Sequence, residues 1–127
     1  MEALKETRDE RKSVRAELDA YVRLYADTLR GQRLCLCGML AAEYETLPST
    51  MQRALRGFFD ANEEWLAGRL AAGRRSGVLA YPGSSMQEAR ALTASLEGAM
   101  LLARPYQAVG RFNAAARAAL RALTAPG

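Results

Sequence analysis

Between Gly31 and Pro48 runs the stretch that most limits what this chain can become: Leu-Cys-Leu-Cys-Gly-Met-Leu-Ala-Ala-Glu-Tyr-Glu-Thr-Leu, from Leu34 to Leu47. A glycine before it and a proline after it leave room for a helix of about three turns. No charged residue stands between Arg33 and Glu43, so most of its surface gains by leaving water. The spacing predicts a short helix between two longer ones, enclosed by neighbours that fold around it.

The flanking segments read as those longer helices. Ala3 to Arg30 contains neither proline nor glycine and is rich in strong helix formers. Val14, Leu18, Tyr21, Val22, Tyr25 and Leu29 recur on one helical stripe. The first dozen residues offer only Ala3 and Leu4 as apolar anchors, so the start of the helix, within residues 1–17, is expected to project or fray. Pro48 suits the first position of the next helix. Met51, Leu55, Phe58, Phe59, Leu66 and Leu70 mark one face of it, interrupted by Asn62, and it ends near Gly73 to Gly77. Pro82-Gly83 marks a turn, and Ser85 with Glu88 reads as a capping box opening a fourth helix. That helix runs to about Arg104 and breaks at Pro105. A fifth, about Ala108 to Leu123, carries Phe112, Ala116, Ala119, Leu120 and Leu123 on one stripe. No alternating strand pattern or repeat occurs. The expectation is an all-α fold of five helices in a single domain, residues 1–127.

Composition narrows the class. Half of the 127 residues are apolar and a quarter charged, as in an ordinary globular domain. No apolar run reaches the roughly 18 residues of a membrane span, and the charged start is not a signal peptide. A cytoplasmic protein without a membrane role is expected. The formal charge of +4 comes mostly from the last third, where Arg90, Arg104, Arg111, Arg117 and Arg121 face only Glu88 and Glu97. These arginines fall singly among alanines and leucines, as on a solvated helix face, and form no phosphate track.

The last two helices carry more apolar surface than one core face requires. Leu92, Leu96, Ala99, Met100 and Ala103 form a stripe, with Leu101 and Leu102 partly outside it. Alanines 115, 118, 119 and 122 would let another helix approach closely. The short break between these helices favours an antiparallel hairpin. Two such hairpins about a two-fold axis would make an intermolecular four-helix bundle. Leu92, Leu101, Leu102, Phe112, Ala115, Ala119, Leu120 and Ala122 are the expected interface residues.

Three stretches together carry a resemblance. Leu-Cys-Leu-Cys-Gly-Met-Leu-Ala-Ala-Glu with the later Leu-Pro, then Phe58-Phe59-Asp60-Ala61-Asn62, then Leu96 to Arg104 resemble, in order and spacing, the regulatory domain of TetR-family transcriptional repressors. The likeness covers roughly Leu18 to Leu123. It implies a C-terminal domain that dimerises through its last two helices and encloses an effector among the preceding ones. One departure is large. Members of that family begin with a helix-turn-helix unit, whereas this chain opens with a charged helix. Around Gly77-Val78 a faint turn signal is followed by Pro82-Gly83, where a reading helix should run. The expectation is therefore a truncated chain or a product without its DNA reader, with no DNA binding of its own.

Candidate sites follow. Phe58, Phe59, Asn62, Trp65 and Leu66 lie on or beside one helical face, which Met39, Leu96 and Met100 could meet. Tyr21 and Tyr25 are amphipathic candidates on the first helix. Such a cluster reads equally as core or as a pocket for a small, mostly apolar effector. A buried Asn62 needs partners, and an effector could be one. Cys35 and Cys37 sit about 200° apart on a helix, so they cannot share a metal there. Without histidine no zinc set can be assembled. No metal, cofactor or catalytic residue is expected. The resemblance implies a second role for Cys35, a pocket candidate that matches the reactive cysteine of some family members. Arg33 and a helix N-terminus would lower its thiol pKa. A thiol sensor through Cys35, or a ligand-free dimerising partner protein, are the alternative readings.

Overall fold

Helix formers between well-placed breakers produce the expected elements. The computed structural model describes residues 2–31 and 36–124, with side chains from 9 to 31 and from 37 onward. The helices are α1 (Glu2–Arg30), α2 (Leu36–Ala42), α3 (Ser49–Ser76), α4 (Ser85–Ala103) and α5 (Val109–Leu123). Single 3-10 turns follow α2 at Tyr44–Thr46 and α4 at Arg104–Tyr106. The architecture is all-α.

Termini of the helices follow local chemistry. Pro48 stands immediately before α3, and Gly77 closes that helix with φ 83°, a left-handed conformation that suits glycine. Helix α4 does begin with a capping box, but one residue earlier than the sequence suggests. Ser84 Oγ accepts from the Gln87 N–H at 3.1 Å, and Gln87 Oε1 accepts from the Ser84 N–H at 3.0 Å. The cap thus uses Ser84 and Gln87 in place of Ser85 and Glu88, because Ser84 is the last residue with extended backbone.

Helices α3, α4 and α5 pack as successive neighbours, and α1 lies against all three. Phe112, Leu66, Leu70, Leu96, Met100 and Val14 are completely buried. One end of this core is drawn tight. A Cβ on Gly73 would run into the Leu79 side chain and crowd Val14, so the missing side chain is what lets α1 and the α3–α4 connection meet. The Ala80 N–H donates to the Leu123 carbonyl at 2.8 Å, beside an isolated bridge between Leu79 and Thr124. Val14, the first residue of the apolar stripe expected on α1, is an anchor of this tight end.

Helix α2 departs most from expectation. It is seven residues long, and none of its described side chains is buried; Met39 is 47% exposed. It packs on α3 and is not enclosed. Apolar composition favours burial, but only a covering neighbour supplies it. Among the described residues no helix is long and apolar enough to cross a membrane.

Candidate functional site

Residues of α1, α3 and α4 border a cleft of about 300 Å³. Tyr21 and Tyr25 come from α1, Phe58 and Asn62 from α3, and Met100 from α4; Leu24 and Thr28 complete the wall. The stripe that packs α1 also aims its tyrosines here, since Tyr21 and Tyr25 are one turn apart. Their rings meet edge-on at 5.5 Å, and Tyr21 continues to Trp65 at 5.8 Å. Beneath, Tyr25 stacks on Phe112 at 6.2 Å.

A polar network crosses the cleft floor. The Tyr21 hydroxyl donates to Asn62 Oδ1 at 2.8 Å, and Asn62 Nδ2 donates to Thr93 Oγ1 at 3.1 Å. The Tyr25 hydroxyl donates to Glu97 Oε1 at 3.0 Å. Burial, reinforced by Tyr21 and by Glu97, holds the Tyr25 hydroxyl well above its ordinary pKa, so it remains a donor. Asn62 therefore finds its partners within the protein, where the sequence reading had left one to an effector. Rings, one amide and hydroxyls line this cleft, and the Glu97 carboxylate is tied to it through Tyr25.

Five of the sequence-derived pocket residues come together here: Tyr21, Tyr25, Phe58, Asn62 and Met100. Trp65 and Phe59 adjoin them, Trp65 through Tyr21 and Phe59 edge-on to Phe58 at 5.6 Å. Leu66 and Leu96 do not line it; both are fully buried and belong to the core. Met39 lies on the exposed side of α2. Cys35 and Arg33 are outside the described residues. Cys37 is half-buried and its thiol is pushed up, by burial first and then by Glu97, the reverse of what a reactive thiolate needs. Thr93 and Glu97 were missed by sequence reasoning. Their spacing with Met100, at i, i+4 and i+7, is the signal that could have found them.

The outer face of the α4–α5 hairpin forms a second surface. Leu101, Leu102, Ala115 and Ala122 are exposed on these helices and Ala119 is half-buried, whereas Leu120 turns to α1, where it lines a hollow with Arg15, Leu18 and Leu79. Ala91, Ser95, Ala119 and Ala122 border a shallow groove of about 120 Å³ between the two helices. Phe112 is a correction. It is 0% exposed within this single chain and stacks on Tyr25 of α1, so it has no side-chain surface to give a partner. Leu92, 3% exposed, lines the same groove as Ala119 and Ala122.

Solved structures share this fold. A TetR-family transcriptional regulator from Agrobacterium tumefaciens superposes with a TM-score of 0.80 at 26% identity, covering 96% of this chain and 73% of its own. The regulatory protein TetR from Rhodobacter sphaeroides gives 0.78 at 24%, covering 87% of this chain and 60% of its own. The reduced form of NemR from E. coli gives 0.69 at 21%, covering 95% and 73%. This chain thus spans about three-fifths to three-quarters of their lengths. No protein-family model matches the sequence, and no curated protein matches it. The fold is that of TetR-family regulators.

Proposed function

We propose that this chain is the effector-sensing and homodimerising part of a TetR-type transcriptional regulator. The observation that carries the reading is the aromatic cleft between α1, α3 and α4, on a fold whose solved counterparts are transcriptional regulators. A cleft of about 300 Å³, mostly apolar with a few polar groups, suits a small molecule. Its walls come from three helices, so a bound ligand would bear on their relative positions.

Dimerisation is supported by the exposed small and apolar residues of the α4–α5 face. Alanine there permits close helix approach, and Leu101 and Leu102 supply apolar area. DNA reading is not assigned to these residues, which carry no helix-turn-helix pattern and only dispersed basic charge.

Sedimentation velocity at micromolar concentration tests the pairing. Wild type should sediment as a dimer and Ala122→Arg as a monomer, since a charge would enter an apolar contact without a partner. Ala122 is exposed in the protomer, so the substitution leaves the fold intact. A monomeric wild type, or a variant dimerising as tightly as wild type, would overturn this part of the reading.

A further inference from the structure

We propose that the cleft selects a small aromatic-bearing organic cation, with Glu97 as the group that answers its charge. This deepens the sensing role above and rests on it. Three observations converge. First, the cleft wall presents rings from Tyr21, Tyr25 and Phe58, and neither lysine nor arginine lines it. Ring faces carry negative quadrupole and attract cations.

Second, Glu97 adjoins the cleft through the wall residue Tyr25. Thr93, Glu97 and Met100 occupy one stripe of α4; Thr93 holds the cleft residue Asn62, and Met100 is itself a wall residue. Glu97 is half-buried, and its Oε1 takes the Tyr25 hydroxyl from across the cleft. One phenol hydrogen bond occupies a fraction of what a carboxylate can accept.

Third, among the described residues no cation pairs with Glu97. Arginines of the surrounding helices have other partners: Arg90 with Glu63 at 3.1 Å, Arg69 with Glu17 at 2.8 Å, Arg30 with Asp27 at 2.9 Å, and Arg56 with the Tyr44 hydroxyl. The negative field of Glu97 reaches α2, where it contributes to holding the Cys37 thiol up. An anion entering the cleft would meet that field with no lysine or arginine among the lining residues to offset it. A neutral ring would gain the apolar contacts and leave the carboxylate unanswered. A cation gains both.

Trp65, the single tryptophan, lies against Tyr21 and reports occupancy through its fluorescence. Three probes of similar shape separate charge from apolar contact: 4-butylbenzyltrimethylammonium, 4-butylbenzyl alcohol and 4-butylbenzoate. The ammonium should bind at least about tenfold more tightly than the alcohol, and the benzoate more weakly than either. Glu97→Gln keeps an oxygen for the Tyr25 hydroxyl; it should bring ammonium and alcohol within about threefold while the alcohol's affinity stays put. Tyr25→Phe keeps the charge and should retain the preference for the ammonium. A wild type that binds alcohol as tightly as ammonium overturns the cation proposal and leaves the sensing role standing, and this ranking needs no variant. Unchanged ammonium preference in Glu97→Gln removes Glu97 from the role. Binding of none of the three, at millimolar concentration, sinks the sensing cleft as well.

Discussion

The two ends of the α1–α3 contact are built on opposite plans. Around Val14, Gly73, Leu79 and Leu123 the helices are drawn together until only a glycine fits, and the backbone itself joins Ala80 to Leu123. Around Tyr21, Tyr25 and Phe58 large side chains border a cleft without filling it. Leu24 is 67% exposed and Phe58 50%, which a core optimised for stability alone would not leave in water. Close packing at one end thus stands against an open, aromatic-lined cleft at the other.

The contrast can be broken most forcefully through Phe112, which underlies the cleft and belongs to the tight core. Phe112→Ala should cost about 3–5 kcal/mol of unfolding free energy, measured in urea at fixed protein concentration, because both the ring and its stack on Tyr25 are lost. Gly73→Val comes next. Its side chain must displace Leu79 and Val14, and about 1–3 kcal/mol is expected. Asn62→Ala attacks the cleft floor, leaving the Tyr21 and Thr93 hydroxyls without their partner for about 1–2 kcal/mol. Met39→Ala, at the open side, should change stability by less than about 0.5 kcal/mol. A Met39 effect matching that of Gly73 would erase the distinction between the two ends.

Cys37 sharpens the comparison in a different observable. Its raised thiol pKa means that the thiolate forms only as pH climbs above the ordinary value of about 8.5. Alkylation of Cys37 at pH 8 should therefore be slower than that of a free cysteine, with its pH profile displaced upward. Faster labelling than the free thiol would reverse the assignment.

Much of this was readable from the sequence because it depends on local rules. Proline and glycine positions give the helices, and a spacing of three and four gives the tyrosine stripe of α1. What failed depends on which neighbour covers a face. Phe112 lies on a valid stripe, but periodicity does not say whether α1 or a second chain will meet it. Leu66 and Leu96 were grouped with the pocket for the same reason. Helix α2 was expected to be enclosed on composition alone, and composition does not supply a lid. The partners of Asn62 were out of reach: Tyr21 is 41 residues away and Thr93 is 31 away, and no local pattern links them.

The stacking of Tyr25 on Phe112 has a consequence for how the chain assembles. Helices α3, α4 and α5 meet their sequence neighbours through short connections, whose closure is entropically mild. Helix α1 must instead join the bundle by meeting α5 from the far side of the sequence. Nucleation in the α3–α5 segment, with α1 docking last, is the order that defers the large loop entropy until contacts can offset it. Substitutions at the α1–α5 contact, such as Tyr25→Ala, should then speed unfolding far more than they slow refolding. Stopped-flow kinetics in urea would read the asymmetry, and a matching loss in the refolding rate would move α1 into the nucleus.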